Sequence, residues 1–118
     1  MAHPVMWFEV FGKDGGKLQQ FYGRLFGWTI NADNPMKYGV VDTGAGRGIP
    51  GGVGQVQNGG RAWVTFYVET PNITASLAEA VRLGGKTIMP RTVTPDVIMG
   101  VFEDPEGHVI GLVEPQAA

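Results

Sequence analysis

Two short stretches carry the side chains with chemistry in them. Trp7, Glu9 and Phe11 fall at every second residue of the first, and Trp63, Thr65 and Tyr67 at every second residue of the other. A period of two is that of a β-strand, so each trio shares one face. Rings on such a face can stack on a planar or cationic ligand. A mostly apolar lining with few polar groups is the usual make-up of a small-molecule site. Glu9 is the only acid on its face of the first stretch. Between Trp7 and Phe11 an ionised carboxylate loses hydration, so it must find a donor or stay protonated. A carboxyl group held that way can serve as a general acid or base. Glu9 and Tyr67 are therefore the catalytic candidates, and all six residues are ligand-binding candidates. The same six also fit a filled interior or a seam between subunits, and Glu9 also fits a carboxylate that simply hydrogen-bonds Tyr67 or a neighbouring strand.

Other chemistries are excluded by composition. The chain has 118 residues and no Cys. Disulfides, thiol catalysis and Cys-based zinc or iron–sulfur sites are ruled out. There are two histidines: His3 near the start and His108 in a turn after Asp104-Pro105-Glu106-Gly107. A net charge of −2 leaves no basic footprint for nucleic acid or an anionic membrane. The N-terminal segment MAHPVMWFEV has no basic region followed by an apolar run, and no stretch approaches the ~18 apolar residues of a membrane span. These features predict a cytoplasmic protein. The glycine-rich TGAGRGI, residues 43–49, superficially resembles a phosphate-cradling loop. It lacks the Gly-Lys-Ser/Thr ending and precedes a strand rather than a helix, so the motif reading is set aside.

The elements that must position the two trios come as a repeat. FEVFGKDGGKLQQFYGRLFGWTI, from Phe8 to Ile30, returns as FYVETPNITASLAEAVRLGGKTI, from Phe66 to Ile88, at a constant offset of 58. Each copy reads as strand, turn, amphipathic helix and the start of a second strand. In the first helix Leu18, Phe21, Tyr22, Leu25 and Phe26 share one face. Asp14 and Asn72 suit N-caps, and Gly27 suits a left-handed C-cap. Met36 to Asp42 is predicted as a strand, and residues 50–56, rich in glycine, as a weak strand with close backbone approach. Gln57-Asn58-Gly59-Gly60 is the predicted linker. The sum is βαβββ twice, an α+β fold, with one module over about 4–56 and the other over about 61–115 of a single domain.

The segment DGGKLQQFYGRLFGW, with RLGGKTI and EDPEGHVIGLVE in the second half, resembles the vicinal oxygen chelate superfamily of glyoxalases, bleomycin-resistance proteins and extradiol dioxygenases. The resemblance implies two modules with curved mixed sheets enclosing a shared pocket, faced by Trp7, Glu9, Phe11, Trp63, Thr65 and Tyr67. It implies that Glu9 and Tyr67, equivalent under the repeat, come near each other across that pocket. Enzymatic members carry a His or Gln on the first strand and a Glu on the last strand of each module. Those positions fall here on Trp7, Thr65, Val53 and Gly111, which do not form a metal site. The expectation is a metal-free small-molecule-binding or sequestering protein resembling bleomycin-resistance proteins, with no cofactor and no nucleic-acid or membrane partner, assembled as a homodimer. The alternative is a glyoxalase-like lyase or isomerase, or another small-molecule enzyme with an atypical or metal-free site. A structural or regulatory dimer with a filled pocket is the third reading.

Overall fold

The computed structural model describes residues 2–57 and 59–115. Asn58, in the predicted linker, lies outside the described residues. Among the described residues the elements occur in the order β1 (Val5–Gly12), α1 (Gly15–Phe26), β2 (Thr29–Asn31), β3 (Gly39–Asp42), β4 (Gly51–Gln55), β5 (Trp63–Glu69), α2 (Ile73–Arg82), β6 (Lys86–Val93), β7 (Ile98–Glu103) and β8 (Val109–Glu114). The fold is α+β, and the order is βαβββ twice. The chain divides into two compact units, residues 7–64 and residues 65 onward together with the segment before Trp7.

In the first unit, β1 pairs in parallel with β4, and β4, β3 and β2 follow antiparallel. The register sets Glu9 beside Gly52 and Phe11 beside Gly54. Asp14 caps α1 by accepting from Lys17 N at 3.0 Å, and Gly27 closes it with φ 70°. Only part of the apolar stripe of α1 rests on the sheet: Leu18 lies over Gly12 of β1. Phe21, Leu25 and Phe26 are more than half exposed. The close approach is made through Gly15, where a Cβ would meet Gln55 and Gly54 at 3.0–3.1 Å. The Gln19 amide also donates to the Lys37 and Val53 carbonyls at 3.0 and 2.8 Å. A small residue and a polar tether bring the helix in close, and the aromatic side chains are left on its flank.

β3 begins at Gly39, three residues later than the Met36 start predicted from sequence. Asn34 is the cause. Its side chain accepts from Tyr38 N at 2.9 Å and donates to Tyr38 O at 2.7 Å. Both backbone groups of Tyr38 are thereby taken in a turn that includes Lys37 at φ 54°. The turn fixes where the Tyr38 ring goes.

The second unit repeats the plan. β5 pairs in parallel with β8, setting Tyr67 beside Gly111, and β8, β7 and β6 follow antiparallel. Asn72 caps α2 by accepting from Ala75 N at 3.0 Å. Ile73, Leu77 and Leu112 form its core, with Val68, Ile98 and Phe102 packed on them. Among the described residues no helix is long and apolar enough to cross a membrane.

The register corrects one assignment. Tyr67 lies beside Gly111 as Glu9 lies beside Gly52, so the counterpart of Gly111 is Gly52 and not Val53. Val53 pairs with Val10 on the opposite face and is fully buried. The offset grows from 58 to 59 between the first and last strands because the second unit holds one more residue between them.

Candidate functional site

Four of the six predicted residues, Trp7, Glu9, Phe11 and Trp63, come together in the first unit. Alternation along β1 puts Trp7, Glu9 and Phe11 on one face. Trp63 is brought to that face by the chain that returns after β4. The Glu9 carboxylate, 5 % exposed, accepts from the Trp63 indole N–H at 3.0 Å through Oε1. Its Oε2 accepts from the Tyr38 hydroxyl at 2.8 Å. The Tyr38 oxygen in turn accepts from the Trp7 indole N–H at 2.9 Å. Phe11 stacks on Trp63 with ring centroids 5.5 Å apart and meets Tyr38 edge-on at 5.9 Å. Trp7, Phe11, Tyr38 and Trp63 are each half-buried. A carboxylate held by neutral donors thus fixes a group of rings whose edges stay within reach of solvent.

Tyr38 was not foreseen, because the strand prediction ran over it. The signal that could have found it is the spacing of glycines on β4. A Cβ on Gly52 would fall inside the Tyr38 phenol, and one on Gly54 would meet Phe11 at 2.5 Å and Tyr38 at 3.0 Å. Glycine at these two positions lets the ring lie across the strand and reach Glu9. Burial, followed by the charge of Glu9, pushes the Tyr38 hydroxyl far above the ordinary tyrosine value, and the hydrogen bond from Trp7 works the other way. Tyr38 therefore keeps its proton and donates it to Glu9 throughout the physiological range.

Thr65 and Tyr67 lie in the second unit. The Thr65 hydroxyl donates to Val109 O at 2.7 Å and is buried. Tyr67, 6 % exposed, lies flat over Gly111, where a Cβ would fall inside its ring. Within the first unit, Tyr38 and Trp63 donate to Glu9.

The residues present do not fit the metal of the enzymatic relatives. In the first unit the two positions are Trp7, whose N–H donates to Tyr38, and Gly52, which has no side chain. In the second they are Thr65, whose hydroxyl donates to a backbone carbonyl, and Gly111. None offers the imidazole or carboxylate oxygen that such an ion needs. Among the described residues no group of three or more His, Asp or Glu could hold one elsewhere.

A βαβββ unit used twice, each with its first strand parallel to its last, places the chain in the vicinal oxygen chelate class. Residues 9–113 match the model of the glyoxalase-like domain, and the chain belongs to that family. No curated protein matches the sequence. Similar solved structures include the NAD-dependent benzaldehyde dehydrogenase of Legionella pneumophila, 15% identical with a TM-score of 0.65, covering 96% of this chain and 100% of that one. Methylmalonyl-CoA epimerase of Mycobacterium tuberculosis is 13% identical at a TM-score of 0.66, with 96% and 88% covered. A glyoxalase/bleomycin resistance protein/dioxygenase superfamily member from Vibrio splendidus 12B01 is 13% identical at 0.64, with 97% and 100% covered. At these identities the likeness is one of fold, and the activities these proteins are named for differ among themselves.

Proposed function

We propose that this glyoxalase-like domain is a small-molecule-binding or sequestering protein that works without the family metal, in the manner of bleomycin-resistance proteins. The observation that carries the reading is the Glu9 group. A buried carboxylate accepts from both Tyr38 and Trp63, and so sets out an aromatic surface with fixed ring orientations. A preorganised surface of that kind binds flat or cationic molecules at small entropic cost. The absence of imidazole and carboxylate from Trp7, Gly52, Thr65 and Gly111 supports binding without a metal.

A screen of aromatic and heteroaromatic compounds, followed by quenching of tryptophan fluorescence, tests the reading. Saturable hits should weaken in Glu9→Gln, which keeps the shape but sets an NH2 group against the Tyr38 hydroxyl or the Trp63 N–H. Elemental analysis of dialysed protein should find well below one metal ion per chain. Hits whose affinity ignores Glu9→Gln, or one tightly held metal per chain, would sink it.

One contact favours a second reading. Tyr38 holds the Glu9 carboxylate by a hydrogen bond beside the aromatic surface, a place suited to a general base. One of the structures similar in fold is named an epimerase. A metal-free acid–base enzyme would lose turnover in Tyr38→Phe while retaining ligand affinity, whereas a binding protein would show no turnover to lose.

A further inference from the structure

The Tyr38 side chain is seated the way a bound molecule would be. A Cβ on Gly52 would fall inside its phenol, and one on Gly54 would meet its ring at 3.0 Å. Two missing side chains on β4 thus leave a slot, and the ring fills it. Phe11 meets that ring edge-on with centroids 5.9 Å apart. One oxygen makes both polar contacts: it donates to Glu9 Oε2 at 2.8 Å and accepts from the Trp7 indole N–H at 2.9 Å. A flat ring carrying a hydroxyl meets every one of these features, and none of them uses the tyrosine backbone.

That backbone belongs to an exposed turn, residues 32–38 between β2 and β3. Asp33, Pro35, Met36 and Lys37 all face solvent. The turn is shaped by its own hydrogen bonds: Asn34 N–H to Ala32 O at 2.9 Å, Lys37 N–H to Asn34 O at 3.0 Å, and the two between the Asn34 side chain and the Tyr38 backbone. Beyond the flanking strands, and among the described residues, hydrogen bonds tie it to the rest of the unit at two places. One is the Gln19 amide, which donates to Lys37 O at 3.0 Å, and the other is the Tyr38 hydroxyl. Lys37 has φ 54°, a region costly for any residue with a side chain. A strained residue beside the ring marks a turn kept in place by its contacts rather than by local preference. Drawing the ring out costs the turn little beyond the two bonds of the hydroxyl, and an incoming hydroxyl replaces those one for one.

We propose, resting on the binding reading above, that Tyr38 is a tethered stand-in for the ligand and that the ligand is a phenol. Its ring enters the slot over Gly52 and Gly54, its hydroxyl takes over the bonds to Glu9 and Trp7, and the turn carries Tyr38 outward. The slot is then a site present in the free protein but closed by the chain itself, which the ligand opens by competing for it. A ring without a hydroxyl does not displace Tyr38, because Glu9 and the Trp7 N–H would each lose a buried partner. A tethered ring also has the advantage over a free one of the same size. The ligand therefore extends beyond a single ring, along the half-buried edges of Trp7 and Trp63.

Amide and aromatic spectra of the full chain, titrated with p-cresol and separately with toluene, test this. p-Cresol is the tyrosine side chain without its backbone, and toluene is the same molecule without the hydroxyl. The expected result is saturable p-cresol binding that moves the Tyr38 ring and the Gly52 and Gly54 amides together, with no saturation by toluene. Tyr38→Phe fills the slot but makes neither polar bond, so p-cresol should bind it roughly tenfold more tightly than the unaltered protein. Tyr38→Ala empties the slot, and p-cresol should raise its melting temperature. Gly52→Ala fills the slot from the strand and should abolish p-cresol binding. No saturable p-cresol binding to the unaltered protein, equal binding of toluene, or binding that leaves the Tyr38 ring signals unmoved would overturn the proposal. Aromatic compounds whose binding shifts the Trp7 and Trp63 indole signals and depends on Glu9, with Tyr38 unmoved, would end it while keeping the broader binding reading. That reading fails separately, if no aromatic compound binds in a way that depends on Glu9.

Discussion

At the scale of single residues, the site depends on a match between a missing side chain and a present one. Gly52 has to be glycine because Tyr38 occupies the space its Cβ would fill. Tyr38 has to reach Glu9, because it donates to a carboxylate that is only 5 % exposed. Tyr38→Phe removes the donor to Glu9 and the acceptor of Trp7 in one step. A buried group left without its partner costs about 1–3 kcal/mol, so the melting temperature should fall accordingly and the tryptophan emission should shift. Gly52→Ala should reproduce both changes with the hydroxyl intact, by pushing the ring off the strand. If Gly52→Ala is silent while Tyr38→Phe is not, the ring does not depend on the open strand, and the account of β4 is wrong. Alternation alone revealed Trp7, Glu9, Phe11 and Trp63. It could not reveal Tyr38, because a turn held by Asn34 has no period to read.

At the scale of elements, the repeat made the order of strands and helices legible, since caps and strand starts recur at a fixed spacing. The seating of α1 was not legible. Hydrophobic periodicity names an apolar face, but Gln19 and Gly15 decide which side meets the sheet. Gln19→Ala should cost about 1–3 kcal/mol, because two carbonyls lose their donor at once, and denaturant unfolding would measure it. Far less loss would mean that water replaces the amide at no cost. In the second unit Glu114 ties three elements together. It accepts from Ile73 N at the start of α2 and takes both arms of Arg91 on β6 at 3.0 Å. The Arg91 hydrogen bonds first, then that of Ile73, hold its carboxyl below the ordinary glutamate value of 4.5. A lowered folded value means the stabilisation is complete above pH 4.5 and fades as pH falls through the lower folded value. Acid melting curves should therefore show a loss below that pH which is smaller in Glu114→Gln. Parallel curves for the two proteins would remove Glu114 from the account.

At the scale of the whole molecule, large apolar side chains stand exposed among the described residues. Phe21, Leu25 and Phe26 project from α1 at 55–59% exposure, beside an apolar groove of about 590 Å³ lined in part by Leu18, Phe21 and Tyr22. Val64 on β5 is 77% exposed and Leu83 at the end of α2 is 64% exposed. Scattered single side chains need no explanation, but three large ones on one helix flank do. The homodimer expected from the sequence is the proposal that covers them. A symmetric pair would bring the same flank of two chains together, with Lys17 and Arg24 left at the rim. Sedimentation at micromolar concentration should then give twice the chain mass. Phe21→Ser with Leu25→Ser should shift it to the monomer without unfolding it, since those side chains contribute little to their own unit's interior. Because association adds stability by mass action, the melting temperature of the unaltered protein should rise with concentration, and that of the double variant should not. A monomer at every concentration, with a melting temperature independent of dilution, would leave the α1 flank without a partner of its own kind.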